Sequence, residues 1–150
     1  MFDITRCAAD PKKYGFTKFF SYEEAKGKIT MMEGVVDAAQ LRNKKTLVML
    51  RDWKFDDGAI KVIAEKKKLC FLIDISTAIR SRGIGRAVGI SKLRNFLRIC
   101  NKHGAFYTFA SFAENEEEIR SPEELQHIAM LFGINRGQAK FAMRMLKEYL

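Results

Sequence analysis

"LCFLIDISTAIRSRGIGRAVG", residues 69–89, runs from an almost wholly apolar stretch into a basic, glycine-rich one. Its first part, residues 69–75, lacks the alternation of a half-exposed strand and reads as a strand buried on both faces. "TLVMLR", residues 46–51, has the same character. Between them "DDGAIKVIAEKKK", residues 56–68, reads as a helix. Asp56 or Asp57 caps its start, and its lysines complement the negative end of the helix dipole.

Working outward, "FDIT" (2–5), "FTKFF" (16–20), "ITMMEGVV" (29–36) and "AFYTFAS" (105–111) read as further strands. "AAQLRNKK" (38–45) reads as a short helical link. A helix is expected over 86–102, with Ile90, Leu93, Leu97 and Cys100 on one face and Arg94, Arg98 and Lys102 on a neighbouring one. Two helices close the chain. Ser121, Pro122 and Glu124 spell a capping box with proline in the first turn, and Leu125, Ile128, Ala129 and Phe132 make a buried face. Gly133 stops that helix, Asn135 starts the next, and Ala139, Ala142, Met143 and Leu146 form its buried stripe. Alternating strands and helices without a linker or repeat make one α/β domain over 1–150 the economical architecture.

Charge is more informative than composition. The chain carries a net charge of +9, with 47% hydrophobic residues, as in globular proteins. Residues 75–113 hold seven Lys/Arg and no Asp/Glu, a net +7, whereas residues 114–150 hold five and seven, a net −2. A concentrated positive field attracts polyanions, which favours nucleic acid over a merely solubilising surface. No run approaches the roughly 20 apolar residues of a membrane span. "MFDITRCAAD" has no export pattern, and three widely spaced cysteines, at 7, 70 and 100, suit a reducing cytosol.

Two other readings of these segments are open. Gly83, Gly85 and Gly89 evoke a dinucleotide loop and hence a small NAD- or NADP-dependent oxidoreductase. The spacing is G-x-G-x-x-x-G, however, some seven residues separate it from the strand, and no aspartate follows Asp74. The glycines then read as flexibility in a loop presenting Arg80, Arg82 and Arg86. "LQHIAMLFGINRGQAKFAMR" has the cadence of a helix-turn-helix DNA regulator, against which stands a packed hairpin closing the domain. His103 and His127 are the only histidines and there is no Cys-x-x-Cys, so no metal site or cofactor is expected. Asp3, Asp52 and Asp74, at strand ends, read as capping, turn or ion-pair residues, so no catalytic residue is expected. Phe106, Tyr107, Phe109 and Phe112 read as core rather than as base-stacking platforms.

Three stretches resemble protein component 3 of ribonuclease P, an archaeal family. They are "CFLIDISTAIRSRGIGRAVGISKLRNFLRICNKHG", "YTFASFAENEEEIRSPEEL" and "LQHIAMLFGINRGQAKFAM", together covering roughly the last 80 residues. The resemblance implies a TIM-type α/β barrel without metal-binding histidines. The chain looks shorter than typical members among its early βα units, so an abbreviated or incomplete barrel with a C-terminal helical pair is expected. It also implies a cytoplasmic ribonucleoprotein that removes the 5′ leader from precursor tRNA, in which the RNA does the chemistry. The implied partners are the catalytic domain of ribonuclease P RNA and protein component 2, with precursor tRNA engaged indirectly. Combined with the charge reading, the expected RNA contacts are Arg80, Arg82, Arg86, Lys92, Arg94, Arg98 and Lys102. Arg120, in the Arg-Ser-Pro turn, is an RNA contact or a structural residue.

Overall fold

The computed structural model describes residues 1–150, apart from the side chain of Thr77. Its strands are β1 (Phe2–Thr5), β2 (Lys18–Ser21), β3 (Ile29–Met32), β4 (Leu47–Leu50), β5 (Cys70–Asp74) and β6 (Phe106–Ala110). Its helices are α1 (Tyr22–Ala25), α2 (Val35–Ala38), α3 (Asp57–Lys66), α4 (Ser76–Arg80), α5 (Gly83–His103), α6 (Pro122–Met130) and α7 (Arg136–Met145). Short 3-10 turns intervene, the last over Leu146–Tyr149.

All strand pairs are parallel. β3, β4, β5 and β6 lie side by side in that order, and β1 pairs with β2. The two sheets meet just past the end of β6. Phe112 N–H donates to the Ile4 carbonyl at 2.9 Å, and Arg6 N–H donates to the Ala113 carbonyl at 2.8 Å. Phe112 adopts φ +48° there, a left-handed turn for a non-glycine residue, and its ring is buried. β2 and β3 do not pair with one another. The result is a parallel barrel-like wall that runs from β3 round to β2 and stays open between those two.

Strand periodicity sorts the side chains. Ile4, Leu47, Cys70, Leu72, Ala110 and Phe112 form one buried cluster with Leu146, and Tyr149 and Leu150 pack against it. The Tyr149 hydroxyl donates to the Lys68 carbonyl at 2.8 Å, tying the C-terminal turn to the start of β5. The opposite strand faces, with Val48, Leu50, Phe71, Ile73, Tyr107 and Phe109, build a larger core shared with α3, α5, α6 and α7. Phe96 is its hub: its ring centroid lies 5.0 Å from Phe71 and 5.0 Å from Trp53, edge-on to both.

Two expectations need correction. The strand begun at Ile29 ends at Met32, because Gly34 turns the chain into α2, where Val35 and Ala38 reach the core. The glycine-rich run is not a loop but helix: α5 begins at Gly83 and contains Gly85 and Gly89. Each glycine costs a helix about 1 kcal/mol relative to alanine. Leu93, Phe96, Leu97, Ile99 and Cys100 bury the rest of the helix and carry it back through the glycines.

Candidate nucleic-acid interface

Asp74 closes β5 by accepting the Ser76 amide at 2.8 Å, which starts α4. Only Ser81 and Arg82 separate α4 from α5, and Arg82 stands exposed at the α5 N-cap. Arg86 turns back to donate through Nη2 to the Ile79 carbonyl at 3.2 Å. It is half-buried and braces the α4–α5 corner.

Arg80, one of the expected RNA contacts, is engaged by the protein's own carboxylates. Arg80 grips Glu118 with both arms of its fork, at 3.0 and 2.6 Å, approaches Glu114 at 3.6 Å and donates to the Phe112 carbonyl at 3.3 Å. The arginine hydrogen bond holds the Glu118 carboxyl down at about 2. Arg80 thus locks the acidic loop after β6 against α4. Arg120 donates to the carbonyls of Glu117, at 2.6 Å, and Ile119, at 3.3 Å, so it fastens its own turn. Lys102 is 3.2 Å from Asp57, which also meets His103 at 3.1 Å. These two hydrogen bonds, His103 first, depress the Asp57 carboxyl.

Arg94 and Arg98 are different. Both are exposed, and neither has a carboxylate partner among the described residues. With Asn95, Asn101 and Gln138 they line a groove of about 350 Å³ between α5 and the α6–α7 turn, with no acidic residue in its wall. Gly133 forms its floor at φ +81°, where a Cβ would come 3.3 Å from Arg94 Nε. The glycine serves both the turn and the arginine's approach. Lys92 faces a separate cleft of about 330 Å³ at the C-terminal ends of β4 and β5, with Arg51, Asp52, Trp53 and Asp74.

The cavity beside Gly85 and Gly89 is about 100 Å³, far below the few hundred Å³ of a ligand pocket, and α5 follows a helix rather than a strand. Among the described residues no three His, Cys, Asp or Glu side chains gather to hold a metal. Asp3 is buried and accepts from the Ser111 amide at 2.8 Å and the Ser111 hydroxyl at 2.5 Å, and burial pushes its carboxyl up to about 6. It is a seam between β1 and the end of β6. Asp52 accepts the Lys54 amide at 3.1 Å, a turn role.

In the C-terminal pair, Ser121–Glu124 and Asn135–Gln138 both form capping boxes. Ala139, Ala142 and Met143 are buried, so the pair is a packed hairpin. A DNA-reading helix needs its first turn free for base edges. Here Gln138 accepts the Asn135 amide at 2.9 Å, and Arg136 lies 4.0 Å from Glu123. The outer side of α7 was not foreseen: Arg136, Lys140, Arg144 and, just beyond, Lys147 border one cleft. Their spacing of four, four and three was the available signal, obscured by the acidic residues upstream.

No family model matches the chain. Over 121 residues it is 24% identical to ribonuclease P protein component 3 of Archaeoglobus fulgidus, across 78% of this chain and 59% of that protein. The chain is similar in sequence to ribonuclease P protein component 3. It spans about three fifths of that relative's length. The fold agrees. A chain in a cryo-EM structure of archaeal ribonuclease P with mature tRNA superimposes with a TM-score of 0.67, at 14% identity, over 99% of this chain and 78% of that one. The likeness to component 3 thus rests on the sequence match, and the α/β fold is shared with a chain of that structure. Among the described residues no helix is long and apolar enough to cross a membrane.

Proposed function

We propose that this chain is a protein subunit of ribonuclease P that binds the catalytic RNA and supports removal of the 5′ leader from precursor tRNA. It works as one α/β domain in the cytoplasm, holds no catalytic residue of its own, and pairs with protein component 2. The sequence similarity to component 3 supports the assignment. The observation that carries the binding mode is the groove beside α5, where Arg94 and Arg98 stand without carboxylates and amide side chains line the wall. Arginine forks suit phosphate oxygens, and amides add neutral donors and acceptors along a ribose-phosphate chain.

Arg82, Lys92, Arg94 and Arg98 make the RNA contacts in this reading. Arg80, Arg86, Lys102 and Arg120 shape the surface from behind, because protein acceptors already occupy them. The test is reconstitution of precursor-tRNA cleavage from ribonuclease P RNA, component 2 and this chain, followed by omission of this chain. Cleavage should fall on omission and return on add-back. An unchanged rate without the chain refutes the assignment.

A further inference from the structure

A cleft of about 630 Å³ lies away from α5, between α7, the starts of β1 and β2, and the start of α6. Arg136, Lys140, Arg144 and Lys147 border it. All four are exposed. Among the described residues Lys140 and Arg144 have no ion-pair partner, and the single carboxylate on the cleft, Glu123, reaches only Arg136, at 4.0 Å. Lys147 sits 5.9 Å from the Phe2 ring, which holds its ammonium over the cleft edge. Gln126 and Thr17 supply neutral polar wall.

The cations form a row. Lys140 and Arg144 stand one turn apart, about 6 Å along the axis, and the row from Arg136 to Lys147 extends about 16 Å. A single phosphate engages a point, whereas a row of this length matches a chain of phosphates. Gln138, which borders the α5 groove, is about 200° round the helix from Arg136. The two basic grooves therefore flank the α6–α7 hairpin on opposite sides.

We infer that the α7 cleft is a second RNA-backbone site, so that a folded RNA contacts both flanks of the C-terminal hairpin. The inference takes the identity of the polyanion from the ribonuclease P reading. The experiment uses the full chain and a ribonuclease P RNA transcript, with affinity measured across a NaCl series. Four proteins are compared: wild type, R94Q/R98Q, K140Q/R144Q and the quadruple variant. Each pair should flatten the log–log salt slope by about 1.4 to 1.8, at roughly 0.7 to 0.9 for each phosphate left without its cation. Affinity near physiological salt should drop about tenfold for each pair, and the quadruple variant should show the sum of both effects. Melting temperatures should stay at the wild-type value, since all four side chains are exposed. If K140Q/R144Q binds with the wild-type affinity and slope while R94Q/R98Q does not, the α7 site is refuted and the α5 reading stands. If wild type fails to bind the transcript, the RNA reading falls and takes this inference with it.

Discussion

Residues 75–113 and 114–150 handle charge in opposite ways. The first stretch is purely cationic along the chain, yet folding neutralises part of that charge internally: Arg80 on Glu118, Lys102 on Asp57. The second is net acidic along the chain, yet folding separates its signs. Four of its carboxylates, Glu114, Glu116, Glu117 and Glu118, crowd the loop after β6, while Arg136, Lys140, Arg144 and Lys147 share one cleft with Glu123 as its single carboxylate. Linear charge density thus overstated the first region and hid the second. A helical hairpin projects residues 20 apart in sequence onto separate surfaces, and a sum over the segment cannot see that.

The contrast is most exposed to challenge at the anchor of the first region. Phe96→Ala should cost about 3–5 kcal/mol of stability, measured by urea denaturation, because a fully buried ring between Phe71 and Trp53 leaves a cavity. A decrease below 1 kcal/mol would mean that α5 is not held by that hub.

The seam between β1 and the end of β6, in the first region, comes next in size. Asp3 grips Ser111, and its carboxyl is raised to about 6 by burial. The fold therefore binds a proton that the unfolded chain has released above pH 3.8. Stability should decline as pH rises from 3.8 to about 6 and stay low beyond, by about 3 kcal/mol for a two-unit shift. Asp3→Asn should remove that decline. Denaturation at pH 4 and pH 7.5 checks it, and equal slopes in the two proteins would show that Asp3 does not titrate within the fold.

Smaller effects are expected in the second region. Asn135→Ala removes the cap of α7 and should cost about 1 kcal/mol, read as a lower urea midpoint. Glu118→Gln should leave global stability almost unchanged, because exposed ion pairs contribute little. It should still release the loop that Arg80 clamps, seen as faster limited proteolysis within residues 114–120.

Most of the architecture was legible because its signals are local. Continuous apolar runs marked β4 and β5. Asp56, Ser121 and Asn135 announced helix starts that the structure caps as expected. The α5 glycines were misread because glycine's local preference for turns is overridden by packing two turns later, at Leu93 and Phe96. Of the expected contact residues, Arg82, Lys92, Arg94 and Arg98 stand exposed. The engagement of Arg80 could not be foreseen, since its partner lies 38 residues away.

By itself the sequence determined the parallel strand–helix alternation, the helix caps and the cationic character of the chain, all of which depend on neighbours within a few residues. Only the tertiary structure decided that β6 meets β1 while β2 and β3 stay apart, and which cations remain available. Those outcomes depend on backbone hydrogen bonds and ion pairs between segments distant along the chain, whose meeting is set by the packing of the whole core.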